Sequence, residues 1–480
     1  MKRIINFYLL LILLYAMPSC TGSHQKDESI ASPVALSHAG SKASCVFMTT
    51  DEKGAPVVSW VEADSMDHKQ FYFAYWDAGT RRFTAPNLIP IANNASIHEE
   101  GMPKIAIKGD GSIIAIYETS IPSPKSKWGI SDVRYIQSFD KGKSWTDARS
   151  VSQNKTAEAS CSFAGLCRLG DGEIGACWLD TDPDPKEKGR PVMFAKTAAK
   201  EGFEKPVLIE PRACQCCRTA IASDKNGHVS IAYRDLLPGS VRDISVSLSS
   251  NDGKTFQRPA PFSNDHWVID GCPHNGPSIA TRNNKTYVAW FSGGMKSGVH
   301  YAELDNSGKM LVKKDISANG RFIQLCLLPN GTRITAYNKN YKDRDSIFSK
   351  IVLNKIDGNT ILEKEITPPH VFATYPVVQP LNDNHVIVAW SDRGRVYYQE
   401  LNTDTILDNT NESAVQTISP EKIPPSVFAA LSSKTDPVCG MPLTSRTISD
   451  TTLFRGKIAG FCNKHCKEQF LKEPDRYSIH

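Results

Sequence analysis

The sequence has little of what would suit a membrane-spanning or nucleic-acid-binding protein. After the first twenty residues, no apolar run approaches the ~20 residues that a helix needs to cross a bilayer. The formal net charge is only +5, from 56 lysines and arginines against 51 aspartates and glutamates, and both signs are spread along the chain. Apolar residues at helical spacing are almost absent between residues 33 and 405. These absences exclude a transmembrane helix after residue 20, argue against a nucleic-acid partner and disfavour an all-α fold.

The first twenty residues are typical of a secretory signal peptide, because two basic residues precede an apolar run from Ile4 to Met17. The string Met17-Pro-Ser-Cys20 resembles a bacterial lipoprotein box. That resemblance implies a signal peptide over residues 1–19, acylation of Cys20 and a polar tether over residues 20–32. The alternative is an ordinary signal peptide that is cut elsewhere.

The expected location follows from this reading. An acylated cysteine would anchor the protein by lipid in the cell envelope of a Gram-negative-type bacterium, at the outer membrane or on the periplasmic side.

A pattern of about 50 residues recurs between residues 33 and 405, close to the length of a four-stranded propeller blade. Each copy has an alternating strand, a turn rich in Gly, Asp or Asn, and a second strand that usually ends in an aromatic residue. The pattern predicts an all-β fold with seven propeller blades, or six if terminal copies merge. The copies cover residues 45–62, 103–118, 162–180, 219–235, 277–291, 322–338 and 377–392.

The last copy suggests how the ring closes. It ends near Leu401 with three strands, whereas residues 31–37 form an isolated apolar segment at the other end of the chain. Many propellers seal the last blade with a strand borrowed from the other terminus. We therefore expect residues 31–37 to supply the fourth strand.

Two turns, 138–145 and 249–256, share a pattern of Ser, then Asp or Asn, then Gly, then Ser or Thr followed by an aromatic residue. Residues 77–83 form a degenerate third copy. These turns resemble the Asp box of sialidase-like β-propellers. The resemblance implies that the acidic side chain caps the turn and that the aromatic ring packs between sheets; it says little about activity.

The resemblance also implies a glycosidase site with an arginine triad, a Tyr–Glu nucleophile pair and an Asp acid. The expected arginine motif is missing, since the nearest string, residues 102–105, contains no Arg. Arg218 and Arg321 begin inner strands and Tyr375 precedes another, so a remodelled catalytic site is one interpretation. The other is that these arginines are ordinary charges at the rim of the propeller.

Ligand-type side chains stand just before several inner strands, where propeller loops converge on one mouth. Cysteine and histidine together suit copper or zinc, whereas calcium and magnesium prefer oxygen ligands. We expect the cysteines and His274 to meet at a common point; the alternative is two disulfides among Cys214, Cys216, Cys217 and Cys272. The five loops carry His98, Glu99 and Glu100; Glu158 and Cys161; Cys214, Cys216 and Cys217; Cys272 and His274; and His370.

Taken singly, His98 and His370 are also compatible with ordinary loop histidines. Four further cysteines lie within apolar strands and are interpreted as small buried apolar side chains. They are Cys45, Cys167, Cys177 and Cys326.

A polar linker over residues 406–433 separates the propeller from a segment, 434–480, that closely resembles a YHS domain, a relative of TRASH-type metal-binding modules. The opening Asp-Pro-Val-Cys439-Gly-Met carries the resemblance. It implies a β-hairpin followed by a helix, with Cys439, Cys462 and Cys466 binding a metal.

The residues support that reading independently. Cys462 and Cys466 are four apart, which places both on one face of a helix, with Phe470 extending the stripe. A unit of ~45 residues needs a bound metal or a disulfide to be stable. Three thiols suit a metal site better than a disulfide, because a single disulfide would leave one thiol unused. His465, His480 or water would complete the site. The alternative is one structural disulfide without metal.

Three functions follow as hypotheses. The first is a lipid-anchored protein that handles a soft transition metal, copper before zinc, with a metal-transport protein as a partner. The second is an exo-acting glycoside hydrolase of sialidase type. The third is a copper or thiol redox enzyme.

Overall fold

The structure is a computed structural model, and it describes residues 32–124, 126–154, 159–181, 188–343, 346–408, 431–444, 448, 450–455, 457–462, 464–474 and 477. The predicted signal peptide, Cys20, Glu158, His480 and most of the predicted linker lie outside these residues, as does the side chain of His465. Within the described part, no helix is long and apolar enough to span a membrane.

Thirty-three strands and two α-helices make up the regular structure of the described residues, together with 3₁₀ turns at Glu99–Gly101 and Pro238–Ser240. The strands are β1 Val34–Ala35, β2 Lys42–Thr50, β3 Pro56–Ala63, β4 Lys69–Asp77, β5 Arg82–Phe83, β6 Asn87–Ile89, β7 Ala95–Ser96, β8 Lys104–Ile107, β9 Ile113–Ser123, β10 Ser126–Ser138, β11 Arg149–Ser150, β12 Ser162–Arg168, β13 Ile174–Leu179, β14 Arg190–Ala198, β15 Gly202–Phe203, β16 Val207–Ala213, β17 Ala220–Ser223, β18 Val229–Arg234, β19 Ile244–Ser249, β20 Ala260–Pro261, β21 Ser278–Arg282, β22 Lys285–Ser292, β23 Gly298–Leu304, β24 Met310–Ser317, β25 Gly320–Leu327, β26 Arg333–Asp343, β27 Ser346–Asp357, β28 Thr360–Glu365, β29 Ala373–Pro380, β30 His385–Asp392, β31 Arg395–Asn402, β32 Asp450–Phe454 and β33 Lys457–Phe461. The helices are α1 Thr403–Asp408 and α2 Lys464–Lys472.

Seven antiparallel sheets form the blades of a propeller. The innermost strand of each blade contacts the innermost strand of the next, and that of the last blade contacts that of the first, so the ring is closed. The seven-blade prediction is confirmed, and the six-blade alternative is wrong. The blades contain β2–β6, β7–β11, β12–β16, β17–β20, β21–β24, β25–β28 and, in blade 7, β29–β31 with β1.

The terminal strand closes the ring as predicted. Within the described residues, Val34 and Ala35 pair antiparallel with Tyr398 and Tyr397 on the outer edge of β31. This pairing gives blade 7 its fourth strand and covers an edge that would otherwise expose unpaired backbone groups.

Aromatic residues on the second strand of alternate blades explain the repeat in the sequence. Trp60, Trp178, Trp290 and Trp390 lie on β3, β13, β22 and β30, and each is at most 2% exposed. A buried indole N–H needs an acceptor, and the N–H of Trp60 donates to Glu62 at 2.7 Å. The indole N–H groups of Trp178 and Trp290 likewise donate to Asp180 and Asp265, so these blades bury a large apolar ring together with its polar partner.

The Asp boxes join the third and fourth strands of their blades. Asp140 accepts the backbone N–H of Ser144 at 2.9 Å, and Gly142 adopts φ 89°. The Trp145 ring packs edge-on against Phe73 of the preceding blade, at 6.5 Å between centroids. The turn thus fixes how one blade packs on the next.

The other two boxes behave in the same way. Asn251 accepts the N–H of Thr255 at 3.0 Å, and Phe256 packs against Phe194 of blade 3. In the degenerate copy, Asp77 accepts the N–H of Gly79 at 2.8 Å. All three predicted boxes cap their turns.

Helix α1 begins inside the polar stretch after β31. Its Leu407 is fully buried, and Ile406 packs against the same apolar cluster of blades 6 and 7. Packing on the propeller therefore continues a few residues past 405.

The C-terminal module, residues 431–477 as far as they are described, contains the hairpin β32–β33 followed by α2. Phe470 of α2 is fully buried and contacts the rings of Phe454, Phe461 and Tyr477. The hairpin-then-helix order agrees with the expectation from sequence.

Candidate metal centres

The first thiol cluster lies where blades 3 and 4 meet. Residues 214–219 connect β16 to the inner strand β17, and the Cys214 N–H donates to the carbonyl of Arg234 at 2.9 Å. The sulfur of Cys214 lies 3.7 Å from that of Cys216 and 4.0 Å from that of Cys217. All three thiols are buried. We call these three residues the inner group.

A second group adjoins the first. Cys216, Cys272 and His274 offer ligand atoms that lie within 4.8 Å of one another. Cys272 and His274 belong to the loop that enters β21 of blade 5, and Cys272 is exposed. We call this set the outer group, and Cys216 belongs to both.

This arrangement partly corrects the sequence prediction. The loops entering blades 4 and 5 do meet, as expected, but not at a single point for all five side chains. The two sets share only Cys216; Cys214 and Cys217 are buried, whereas Cys272 is exposed.

In each group, the pKa of one sulfur is lowered by its neighbours. Contact with the thiols of Cys216 and Cys217 holds the pKa of Cys214 well below its ordinary value. Contact with Cys216 and His274 lowers the pKa of Cys272 to about 5, and Cys272 in turn raises the pKa of His274. Thiolate is the form that binds metal ions.

Positive charge surrounds these sulfurs. Since cations stabilise a thiolate, they offset part of the cost of burying it. Three arginines lie within electrostatic range of Cys216, Cys217 or Cys214: Arg190, Arg234 and Arg242.

The second thiol cluster lies in the C-terminal module. The sulfur of Cys462 lies 3.5 Å from that of Cys439 and 3.8 Å from that of Cys466. Its two thiol neighbours lower the pKa of Cys439 to about 3. The three predicted cysteines therefore do converge.

Their placement differs from the prediction in one respect. Cys462 follows the end of β33, and α2 begins at Lys464. The two cysteines are therefore not on one face of a helix; the turn between strand and helix brings Cys462 next to Cys466.

Asp436 completes this cluster and was not identified as a site residue from the sequence. Its carboxylate lies within 4.8 Å of the three sulfurs and accepts the backbone N–H groups of Cys462 at 2.7 Å and Val438 at 2.9 Å. The side chain is 1% exposed, and burial raises its pKa. Its position three residues before Cys439 was the available signal.

The channel mouth carries a separate group of charges. Glu100 forms a buried ion pair with Arg218 and accepts the backbone N–H of Gly276 at 2.9 Å. A Cβ on Gly276 would collide with Arg218, so the glycine allows this close approach. Arg218 is thus engaged by a carboxylate of the protein itself.

Glu99 lies beside this pair. Its Oε1 accepts the Cys45 N–H and the Ser391 hydroxyl, both at 3.1 Å, and Oε2 has no hydrogen-bond partner. Burial, reinforced by the charge of Glu100, raises the pKa of Glu99 to about 7. A carboxyl group with this pKa suits proton transfer near neutral pH.

The inner strands of blades 1, 3, 6 and 7 each contain one residue with a left-handed backbone conformation, and pairing with the second strand is interrupted at that residue. These residues are Cys45, Phe163, Phe322 and Tyr375. Such bulges release backbone N–H groups from the ladder, and that of Phe163 donates to Glu118 at 2.6 Å. The bulges thus help to position the acids of the mouth.

The three catalytic candidates, Arg218, Arg321 and Tyr375, do not lie together in the structure. The ring of Tyr375 stacks on Phe322 at 3.9 Å between centroids, and its pKa is raised by burial and by the charges of Glu100 and Glu99. Arg321 instead lies 4.0 Å from the centre of the Phe291 ring, and burial lowers its pKa to about 10. Tyr375 joins the Arg218 group, whereas Arg321 does not.

Two charged residues of the mouth were missed from the sequence. Lys104 is buried, and burial lowers its pKa to about 8. Glu118 lies 3.3 Å from His98. The signal for Glu118 was its place at the end of a second strand, where other copies of the repeat end in Glu62, Asp180, Asp235 and Asp392.

Other predicted ligands lie elsewhere. His370 pairs with Asp343 at 3.5 Å, and Cys161 is buried beside Asp132, so neither belongs to a thiol group. Among the cysteines of apolar strands, Cys45, Cys177 and Cys326 are buried and Cys167 is partly exposed. Burial raises the pKa of all four, in agreement with their interpretation as small apolar side chains.

The chain resembles proteins of known structure. Solved structures similar to the chain include the Hadza microbial sialidase Hz136 (11% identity over 71% of this chain and 74% of that one, TM-score 0.43). They also include the intramolecular trans-sialidase from Ruminococcus gnavus (10% identity, 76% and 95%, TM-score 0.43) and NanB sialidase from Streptococcus pneumoniae, as its K499G mutant (10% identity, 78% and 71%, TM-score 0.43). At these identities the likeness concerns fold alone.

No curated protein sequence matches the chain. The family model of the BNR repeat-like domain, however, matches residues 43–286. That match covers just over half of the 480 residues and runs from blade 1 into blade 5. The chain therefore belongs to the BNR repeat-like domain family, with a sialidase-like β-propeller of seven blades.

Proposed function

We propose that this protein binds a soft transition metal, copper(I) before zinc, at the propeller mouth and in the C-terminal module. The carrying observation is that the ligand atoms converge in three groups, and in each group the pKa of one sulfur is lowered by its neighbours. Thiolate and neutral imidazole are ligands that copper(I) and zinc prefer. The YHS-like reading of the module supports the same chemistry.

The shared position of Cys216 suggests the order of filling. The outer group contains the exposed Cys272, whereas the inner group is buried. A metal ion would therefore reach the outer group first, and Cys216 would serve both groups as a common ligand. Loss of Cys216 should weaken both, whereas loss of Cys214 should weaken only the inner group.

Metal stoichiometry tests the proposal. The full chain, purified in mild detergent under reducing and metal-free conditions, is titrated with copper(I) and with zinc. We expect Cys216→Ser/Cys272→Ser to lose the propeller ions and Cys439→Ser/Cys462→Ser to lose those of the module. Cys167→Ala, in the inner strand of blade 3 away from both clusters, is the matched control. Unchanged binding in both double variants, or no binding by the parent protein, would refute the proposal.

An exo-acting glycoside hydrolase of sialidase type is the second candidate, and the comparisons favour it over metal binding because they concern the BNR family and sialidase-like folds. The grouping of Tyr375, Arg218 and Glu99 at the channel mouth is the observation on its side. The ion pair between Arg218 and Glu100 weighs against it, since that arginine is already neutralised.

Release of sialic acid from an aryl sialoside tests this candidate. Activity that is lost in Arg218→Ala and kept in Arg82→Ala, an exposed arginine of blade 1, would establish the hydrolase. Absence of release by the parent protein would reject it. A copper or thiol redox enzyme is the remaining reading; oxidation of a small substrate that depends on bound copper is what would establish it.

Anchoring by lipid at Cys20 and exchange with a metal-transport protein remain part of the proposal. Fractionation of cells tests the anchor, because Cys20→Ser should move the protein from the membrane fraction to the soluble fraction.

A further inference from the structure

The C-terminal module touches the propeller beside the outer group. A Cβ placed on Gly271 would lie 3.0 Å from the carbonyl oxygen of Cys439, which is closer than side chains ordinarily approach backbone. On the other side of the contact, a Cβ on Gly440 would lie 3.7 Å from the carbonyl of Asp270. Two loops, one from each thiol cluster, therefore lie backbone against backbone.

Side chains extend this contact. Met441, two residues after Cys439, packs into the core of the module and also against the cluster of the propeller that contains Trp267 and Ile269. Arg321 of blade 6 lies within electrostatic range of Cys462. The module thus lies against blades 5 and 6 through apolar and backbone contacts.

The two loops that touch each carry the most accessible thiol of their cluster. Cys272 follows Gly271 in the chain and is exposed, and Cys439 is partly exposed whereas Cys462 and Cys466 are buried. Both cysteines therefore belong to loops whose backbones are in contact. Holding donor and acceptor together replaces a bimolecular encounter by an intramolecular one, which raises the effective concentration of each site for the other.

We propose that the two thiol sites form one transfer path, in which a copper(I) ion passes between Cys439 and Cys272 within a single molecule. The inference rests on the proposed function and adds a route to it. A bond from the ion to the Cys272 thiolate forms as the bond to the Cys439 thiolate breaks. The ion keeps its oxidation state, and the freed Cys439 sulfur again accepts hydrogen bonds from its thiol neighbours, so no oxidant or reductant is required.

Gly271 offers a way to test the path without altering a ligand. Its φ lies outside the left-handed region, so a side chain there meets no backbone strain. Gly271→Val would instead force the loop away from Cys439, and Gly271→Ala would do so by a few tenths of an ångström. Gly79→Val is the matched control, since its only close neighbour is the flexible side chain of Asp77.

The experiment uses the full chain in mild detergent, reduced and supplied with less than one equivalent of copper(I). Bound thiols resist alkylation, so timed alkylation followed by peptide mass spectrometry shows which cluster holds the ion. We expect protection to redistribute between the clusters at a rate independent of protein concentration. In Gly271→Val this rate should fall at least tenfold and become proportional to protein concentration, with a smaller fall in Gly271→Ala and none in Gly79→Val.

Two results would overturn the path: redistribution in Gly271→Val as fast as in the parent protein, or a parental rate proportional to concentration. Both leave copper bound at both clusters. Failure of the proposed function looks different, because copper would then protect neither cluster. Thermal melting of each variant verifies that the propeller and the module remain folded.

Discussion

The two thiol clusters reach similar chemistry on very different supports. At the propeller mouth, loops 214–219 and 270–277 are held between blades whose strands are buried on both sides. In the module, Cys439, Cys462 and Cys466 are themselves part of a small core around Phe470. The propeller carries its thiols on loops, and its core is formed without them. In the module, the thiols are part of the core itself.

The difference between the two supports indicates in which unit metal binding contributes to the stability of the fold. A ring of seven blades buries enough apolar surface to fold on its own, but a unit of ~45 residues buries too little to be secure. Metal binding in the module should therefore contribute directly to its folding. At the propeller mouth, binding should change local order and leave the global stability nearly unaffected.

The largest effect is expected from Phe470→Ala. Removing a fully buried phenylalanine costs about 3–5 kcal/mol, which exceeds what so small a unit can lose. The module should unfold and release its metal while the propeller melts as before, as measured by calorimetry and metal stoichiometry. Leu471→Ala, the adjacent residue of α2 and 55% exposed, is the control. A loss of stability in both the propeller and the module would contradict independent folding of the two units.

An intermediate effect is expected from Glu99, which concerns the propeller alone. Its pKa is raised from 4.5 to about 7, so its contribution to stability is fully present below pH 4.5 and is lost as pH rises through 7. Each pKa unit corresponds to 1.36 kcal/mol, so up to about 3 kcal/mol is lost between pH 4.5 and 8. Urea unfolding of Glu99→Gln should show a flatter dependence on pH. If the free energy of unfolding of the parent protein and of Glu99→Gln changed with pH in parallel, the raised pKa of Glu99 would be contradicted.

The smallest effect is expected at the Asp boxes. Asn251 makes the same bond to the turn as Asp140 does, so Asp140→Asn should leave the urea midpoint of the propeller nearly unchanged. Asp140→Ala should lower it, because the N–H of Ser144 loses its acceptor. Neither substitution should alter the module. Equal effects of Asn and Ala would show that the cap does not stabilise the turn.

Features that depend on neighbouring residues could be predicted from the sequence. Alternation within each strand pair and the turns between them define the blades, and the missing strand after Leu401 indicates that the N-terminal segment closes the ring. The Asp boxes were likewise predictable, since their hydrogen bonds join residues two to four positions apart.

Features that depend on side-chain direction between distant loops could not be predicted. The sequence predicted that the thiols of the loops entering blades 4 and 5 meet, but it did not predict that Cys216 belongs to both groups. Asp436 was visible only as part of a resemblance. Contact between Gly271 and Cys439 has no local signal, because it joins residues on separate units.

The pairing of β1 with β31 also orders events in time. Among the described strands, the one that closes the ring comes first in the chain, and its partner, which ends at Asn402, follows more than 360 residues later in synthesis or export. Until then the N-terminal segment has no edge on which to dock, so the nascent propeller remains an open arc. Within the described residues, the strands that close the ring all precede the module in the chain, so the ring can close before the module follows.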